Sequence, residues 1–283
     1  MIIAANGVDH GEVMDADLCI VGAGPAGLSL ADEFLDGPHR VVVLESGGRL
    51  PDETGTDLTG GEVVGYPYHP LHESRSRAVG GTWHAWHEYF RTRPLDPVDL
   101  EGRPWVPGSG WPLSPDDLDP CFERAANLLG LGGPGWGPEA SPAHAGRTPL
   151  TDGEDLDEGV FRYSNTVDFF AHRRRIEASA NVILVESATA LGIDVVDGDP
   201  TARGVVASMG GTHRFRVPAR AVVVAAGGIE SARLLMLGST GGGEGSGEGR
   251  AQLGRYFMEH PRVRIGVVRG PGHDALRFFD RLE

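Results

Sequence analysis

Cysteine is scarce in this 283-residue chain, which holds only Cys19 and Cys121. Two cysteines so far apart give neither a disulfide framework nor the paired spacing of a zinc site. We therefore expect a protein of a reducing compartment and predict a cytoplasmic location. The chain also lacks the basic start and long apolar core of a secretory signal, and no apolar run reaches membrane-spanning length. Membrane association is not expected.

Basic residues are outnumbered: 25 Lys and Arg stand against 40 Asp and Glu, for a formal net charge of −15. A nucleic acid or an anionic membrane requires a basic face, so the composition disfavours both as partners. Glycine and proline are abundant, with 43 and 20 residues, which indicates many turns. Because apolar strands recur between these turns, we expect an ordered protein of one large domain or two moderate ones.

The most informative stretch is residues 15–48. It begins with a short apolar run at residues 17–21, which is typical of a parallel strand covered on both faces. The sequence GAGPAG at residues 22–27 follows directly and matches the G-x-G-x-x-G pattern. A helix is predicted from there to residue 35, and a second buried strand at residues 40–44. This order of elements predicts a dinucleotide-binding unit.

Each glycine of this pattern has a mechanical role. Gly22 permits a tight turn, Gly24 lets the backbone approach a pyrophosphate, and Gly27 lets the helix pack near the strand. The helix N-terminus then favours the diphosphate through its free N–H groups and dipole. Glu45 follows the second strand about 20 residues later, where a carboxylate accepts both hydroxyls of an adenosine ribose. FAD and NAD both remain open at this point.

A long excursion is predicted at residues 49–118, and such loops are often functional. Within it, adjacent glycines at residues 80–81 allow close backbone approach to a flat or charged ligand, and the nearby tryptophans offer apolar faces. His84 and His87 have no third ligand of suitable spacing nearby, so no metal site is predicted.

Further along the chain, Asp119 and Pro120 are interpreted as the N-cap and first residue of a helix that ends near residue 129. The other predicted elements are strands at residues 161–170, 181–185, 188–196, 202–209, 212–217, 221–228 and 263–268, and helices at residues 172–180 and 229–237. The sequence GGGEGSGEG at residues 241–249 predicts a flexible loop.

Taken in order, six segments resemble the FAD-dependent glucose-methanol-choline oxidoreductases. They are DADLCIVGAGPAGLSLADEFL with Glu45, AVGGTWHAW, RPWVPGSGWPLSPDDLDPCFERA, NVILVESATAL, ARAVVVAAGGIESARLLML and LGRYFMEHP. The third segment looks most like the branch of sugar and polyol dehydrogenases and pyranose oxidase. The resemblance implies FAD rather than NAD as the cofactor.

The resemblance also implies a set of cofactor-binding residues: Gly22, Gly24, Ala26, Gly27, Glu45, Ser46, Arg77, Gly80, Gly81, Thr82, His84, Ala190, Ala226 and Gly227. By this analogy the first glycines and Glu45 hold the adenosine end, and residues 77–82 lie along the pyrophosphate and flavin. The backbone at Ala190 faces the adenine. His84 is the candidate for a covalent bond to the flavin, as found at a histidine in some relatives.

The implied architecture is α/β: a Rossmann-like FAD-binding domain at residues 14–260, with a parallel sheet and a β-meander. Residues 49–118 form its inserted loop or lid region, and residues 261–283 supply the first strand of a truncated substrate-binding domain. The family's catalytic histidine lies in a C-terminal segment without a counterpart here, so no catalytic residue is assigned. His260 matches a structural turn of the family instead.

The expected function is oxidation of a CH–OH group of a sugar, polyol or related alcohol, with hydride transfer to flavin N5. The catalytic half would come from a second polypeptide, or the chain would be a truncated gene product. One alternative is a non-catalytic flavin-binding module that forms a homodimer through the unpaired strand at residues 263–268. Another is a NAD-linked dehydrogenase, which leaves the segments AAGGIESARLL and GGTWHAW without a role.

Overall fold

The structure, a computed structural model, describes residues 1–51, 56–85, 91–92, 94–131, 162–163, 169–196, 199–238 and 252–259. The chain divides into two units. The first comprises Met1–Trp86 and Asp168–Met258, and the second comprises His87–Val167 and Glu259–Glu283. The predicted strand at residues 263–268, the loop at residues 241–249, and His87 and His260 lie outside the described residues.

The strands are β1 (Ile2–Ala4), β2 (Ala16–Val21), β3 (Val41–Leu44), β4 (Arg91–Thr92), β5 (Arg162–Tyr163), β6 (Val182–Glu186), β7 (Thr189–Val196), β8 (Asp199–Met209) and β9 (His213–Val224). The α-helices are α1 (Pro25–Asp32), α2 (Thr56–Thr59), α3 (Pro97–Leu100), α4 (Pro115–Leu128), α5 (Phe169–Ala178) and α6 (Gly227–Gly238), with 3-10 helices at Ala5–Gly7 and Gly81–Ala85.

A seven-stranded sheet in the order β1-β6-β3-β2-β9-β8-β7 organises the first unit. Neighbouring strands pair in parallel along β1, β6, β3, β2 and β9. By contrast, β9, β8 and β7 form an antiparallel meander. All four residues of β3 are buried, as expected for a parallel strand covered on both faces. The predicted α/β class with a Rossmann-like sheet and a meander is confirmed. The carboxyl ends of β2, β3 and β9 therefore lie along one edge of the sheet.

β9 differs from the prediction, which had separate strands at residues 212–217 and 221–228. It is continuous, and its first half pairs with β8 while its second half pairs with β2. Pro218 lies where the partner changes, opposite Gly204 in β8. A side chain at Gly204 would place its Cβ 2.3 Å from the carbonyl oxygen of Val217. The close approach at this glycine lets one strand serve both ladders, so the proline does not end it.

Other boundaries also differ from the sequence prediction. β1 was not predicted, because three apolar residues are too short a signal; it completes the sheet edge by pairing with β6. α1 ends at Asp32 rather than at residue 35, and turns follow it. Of the strand predicted at residues 161–170, the structure describes only β5 as extended, and α5 already begins at Phe169.

The helix α4 of the second unit begins at Pro115, so the predicted start at Asp119 and Pro120 is wrong. Ser114 is its N-cap, and Asp117 accepts hydrogen bonds from the backbone N–H of Ser114 (2.8 Å) and from its hydroxyl (2.7 Å). These bonds hold the pKa of Asp117 below its usual value. Pro120 lies inside α4, where it removes one backbone hydrogen bond without ending the helix, and the capping box sets the start of the helix at Pro115.

Candidate functional site

The loop after β2 has two glycines that no other residue can replace without moving the backbone. Gly22 has φ +103°, and a Cβ on it would lie 2.5 Å from the carbonyl oxygen of Ala225. A Cβ on Gly27 would lie 1.9 Å from the carbonyl oxygen of Gly22. These contacts bring the end of β9 and the first turn of α1 against the loop. Gly22 therefore forms the predicted tight turn, and Gly27 allows the predicted close packing of the helix.

Gly24 has a different environment. It is the N-cap of α1 with an extended backbone (φ −77°), and Pro25 occupies the first helical position. A Cβ on Gly24 would meet no atom within 4 Å, so open space lies in front of the helix. The first N–H groups of a helix have no intrahelical partner and face this direction. The space and the donors suit a diphosphate.

Glu45 closes the other side of the loop, directly after β3. Its side chain is buried, with 6% exposure. One carboxylate oxygen accepts the N–H of Ala23 (2.9 Å) and the other accepts the N–H of Gly47 (2.8 Å). The carboxylate therefore braces the glycine loop against the turn that follows β3. Each oxygen keeps a second lone pair for a ribose hydroxyl.

Burial raises the pKa of Glu45 to about 7, because the charged form loses its hydration. The N–H groups of Gly47 and Ala23 and the guanidinium of Arg77 oppose this shift, and Glu186 adds to it. A ribose that donates hydrogen bonds would favour the charged form. We therefore expect FAD affinity to increase as the pH rises through 7.

The same shift predicts how folding stability depends on pH. Glu45 has a higher pKa folded, about 7, than the 4.5 of the free side chain, so the folded state binds more protons between these values. The free energy of unfolding should therefore fall by an amount on the order of 3 kcal/mol as the pH rises from about 4.5 to about 7. Urea unfolding of the cofactor-free wild type and of Glu45→Gln across this window measures it.

In that experiment the variant should lose this component of the pH dependence, because it has no carboxyl group at the position. The exposed Glu101 provides the matched control, since Glu101→Gln changes the same chemistry on the surface. Identical pH profiles for Glu45→Gln and the wild type would show that the buried carboxyl is not responsible.

The segment that leads into the 3-10 helix Gly81–Ala85 forms a second wall of the cleft in front of α1. The N–H of Gly80 donates to the carbonyl of Ala23 (2.8 Å). Gly81 has φ +51°, and a Cβ on it would lie 3.0 Å from the Cα of Gly24. The glycine pair thus lies directly on the nucleotide-binding loop, which explains why two glycines are needed in succession.

Arg77 provides a test of whether a ligand fits. Its Nη1 donates to the carbonyl oxygen of Ser46 (2.8 Å) and lies 3.2 Å from the Ser46 hydroxyl, which is 2.7 Å from the hydroxyl of Thr189. The Nε of Arg77 and the hydroxyl of Ser76 are buried and have no hydrogen-bond partner among the described residues. Buried donors of this kind are normally satisfied, so the cleft fits a ligand that supplies acceptors. FAD has such acceptors along its length.

Three more of the predicted residues lie in the 3-10 helix Gly81–Ala85 and at the start of α6. Thr82 and His84 belong to the 3-10 helix that follows the glycine pair, and the Nε2 of His84 is 2.8 Å from the carbonyl oxygen of Val79. Gly227 begins α6 with φ +80°, and a Cβ on it would meet no atom within 4 Å. The covalent role of His84 stays a prediction.

Three further predicted residues, Ala190, Ala226 and Ala26, each follow in the sequence a residue described above. Ala190 follows Thr189 in β7, Ala226 follows the residue that contacts Gly22, and Ala26 is exposed in the first turn of α1. Sequence reasoning missed Thr189 and the two amides bonded by Glu45. Thr189 and Ala23 have no local signal, because their partners are 143 and 22 residues away, whereas the amide of Gly47 is only two residues from Glu45.

The described part of the chain contains no group of three His, Cys, Asp or Glu residues placed to hold a metal ion. None of the helices in that part has both the length and the apolar character needed to cross a membrane.

Comparison with known proteins identifies the family. The profile of the FAD dependent oxidoreductase family matches residues 17–247. The 6'''-hydroxyparomomycin C oxidase of Streptomyces lividus is 26% identical over 282 residues, which cover 79% of this chain and 50% of that protein. Among solved structures, pyridoxine 4-oxidase from Mesorbium loti is 21% identical, with a TM-score of 0.46, over 78% of this chain and 51% of its own.

A fungal aryl-alcohol oxidase has a TM-score of 0.50 at 17% identity, over 78% of this chain and 47% of its own. The chain thus spans about half the length of these relatives. The match to the FAD-dependent oxidoreductase family confirms the resemblance predicted from the sequence at that level, and FAD rather than NAD is the cofactor. The chain belongs to the FAD-dependent oxidoreductase family.

Proposed function

We propose that this chain is the FAD-binding part of an enzyme that oxidises a CH–OH group of a sugar, polyol or related small alcohol. The observation that carries the proposal is the cleft at the carboxyl edge of the sheet, where Gly24 faces open space and Glu45 is buried behind it. The Streptomyces relative is named as the oxidase of a hydroxylated compound, which supports the choice of substrate class. We propose the cytoplasm as its location.

The bound FAD supplies the acceptor for a hydride. The residues of this chain bind and orient it: the N-terminus of α1 receives the diphosphate, and Glu45 accepts hydrogen bonds from the adenosine ribose. The guanidinium of Arg77 lies beside Ser46, at the boundary between the loop and the second wall. The Gly80–Gly81 backbone restricts where the remainder of the cofactor lies.

No residue that the structure describes is assigned as the proton acceptor. The family resemblance implies a histidine in that role, and we propose that a second polypeptide supplies it. A base positioned beside the hydroxyl would take its proton as the hydride leaves the carbon.

Anaerobic mixing of the FAD-loaded chain with sugars, polyols and aryl alcohols tests the proposal. The polypeptide encoded directly downstream is added in a parallel series. We expect the flavin absorbance to bleach with at least one alcohol when both polypeptides are present, and not with this chain alone. The absence of bleaching with every alcohol in both series, despite bound FAD, would contradict the proposed activity.

A further inference from the structure

A buried polar cluster joins the helices α1 and α5 of the first unit. His172 of α5 and Asp32, the last residue of α1, have side chains that are only 4% and 8% exposed. The Nδ1 of His172 is hydrogen-bonded to Oδ2 of Asp32. Arg175 of α5, which is half exposed, donates to the same oxygen over 2.5 Å. A carboxylate oxygen can only accept, so Nδ1 of His172 donates in its hydrogen bond with Asp32.

The imidazole of His172 is also connected to the cofactor cleft through one other side chain, that of Trp83. Its ring packs on Trp83, with 5.3 Å between ring centroids and 34° between ring planes. Trp83 is among the largest fully buried side chains and lies in the 3-10 helix Gly81–Ala85. That helix begins at Gly81, whose backbone rests on Gly24. The hydrogen bond to Asp32 therefore orients the ring of His172. That ring packs on Trp83 and so supports the second wall of the cleft.

We propose that His172 is a positioning residue for FAD, oriented by Asp32 and acting through Trp83 on the segment Gly81–Ala85. The inference rests on the proposed function only in that FAD occupies the cleft. None of the three side chains belongs to the glycine pattern or to the predicted cofactor-binding set. A site held in place by such supporting contacts loses affinity when the support is removed, even if its own residues are unchanged.

The test compares His172→Phe, which keeps an aromatic ring against Trp83 but cannot donate to Asp32, with His172→Asn, which keeps a donor but not the ring. We expect His172→Phe to weaken FAD binding roughly tenfold, the scale of one hydrogen bond to a buried charge. The visible spectrum of its bound flavin should also shift. Affinity for ADP, which occupies only the glycine-loop end, should change less than twofold. His39→Phe, at an exposed histidine, is the matched control.

A double-mutant cycle with Asp32→Asn tests whether the pair acts as a unit. The double variant should bind FAD no more weakly than the weaker-binding single variant. Each single substitution already removes the hydrogen bond that orients the ring of His172, so the second has nothing further to remove. Circular dichroism confirms folding of each protein, and if His172→Phe does not fold, His172→Asn and Asp32→Asn are used instead.

Three results would overturn the inference. The first is an unchanged FAD affinity and flavin spectrum in folded variants, which indicates a packing role alone. The second is an equal loss of ADP and FAD affinity, which indicates displacement of the whole helix α1. The third is strict additivity in the cycle. Failure of the wild type to bind FAD would instead contradict the proposed function, so the two failures are distinguishable.

Discussion

Replacing Gly24 by valine should abolish tight FAD binding and leave the protein folded. A Cβ at this position meets no protein atom within 4 Å, and the extended backbone of Gly24 suits any residue. Its atoms would instead occupy the space in front of α1, where the diphosphate approaches the first N–H groups. We expect the dissociation constant for FAD to rise by a factor on the order of a hundred or more, equivalent to about 3 kcal/mol.

Folding should change little, because valine in place of an N-cap glycine costs only about 1 kcal/mol. Flavin fluorescence titration gives the affinity, and urea unfolding of the cofactor-free protein gives the stability. Gly7→Val is the matched control, since a Cβ on Gly7 also meets no atom within 4 Å and Gly7 is not part of the glycine loop. Unchanged FAD affinity in Gly24→Val would place the diphosphate elsewhere.

The second large effect is expected at Gly27, where alanine should destabilise the fold itself. Its Cβ would lie 1.9 Å from the carbonyl oxygen of Gly22, a separation that no relaxation of a side chain can relieve. The helix α1 would have to move away from β2, so that buried Leu28 and Ala31 lose their packing. We expect the free energy of unfolding to fall by about 4 kcal/mol or more.

Urea unfolding followed by circular dichroism measures this loss. Gly192→Ala makes the same chemical change in β7, where the added methyl group meets no atom within 4 Å. That control should be neutral or slightly stabilising, since alanine restricts the unfolded chain. A stability of Gly27→Ala within about 0.5 kcal/mol of the wild type would show that the helix is not held against the strand as described.

Local patterns were sufficient to predict the elements around the cofactor. The continuous apolar run of β2, the glycines at residues 22–27 and the acid after β3 all depend on neighbours within a few residues, and the structure places them at one edge of the sheet. Gly80 and Gly81 were predicted from the resemblance, and they lie against the loop because of contacts across more than fifty residues of chain.

Long-range and capping interactions explain what the sequence did not predict. The sequence prediction had two separate strands at residues 212–217 and 221–228, but Gly204 on the neighbouring strand lets β9 continue through Pro218. The sequence prediction began this helix at Asp119 and Pro120, whereas the capping box of Ser114 with Asp117 begins α4 at Pro115. His172 has no local signal at all, since its partner Asp32 is 140 residues away.

Titration of the purified, cofactor-free chain with FAD, and separately with NAD, tests the central claim most directly. The account predicts saturable binding of one FAD per chain, displaced by ADP because the adenosine end carries the contacts to Glu45 and the glycine loop. NAD carries the same adenosine diphosphate end but no flavin, so under the same conditions it should bind more weakly than FAD. Binding of NAD in preference to FAD, or FAD binding that ADP cannot displace, would contradict the account.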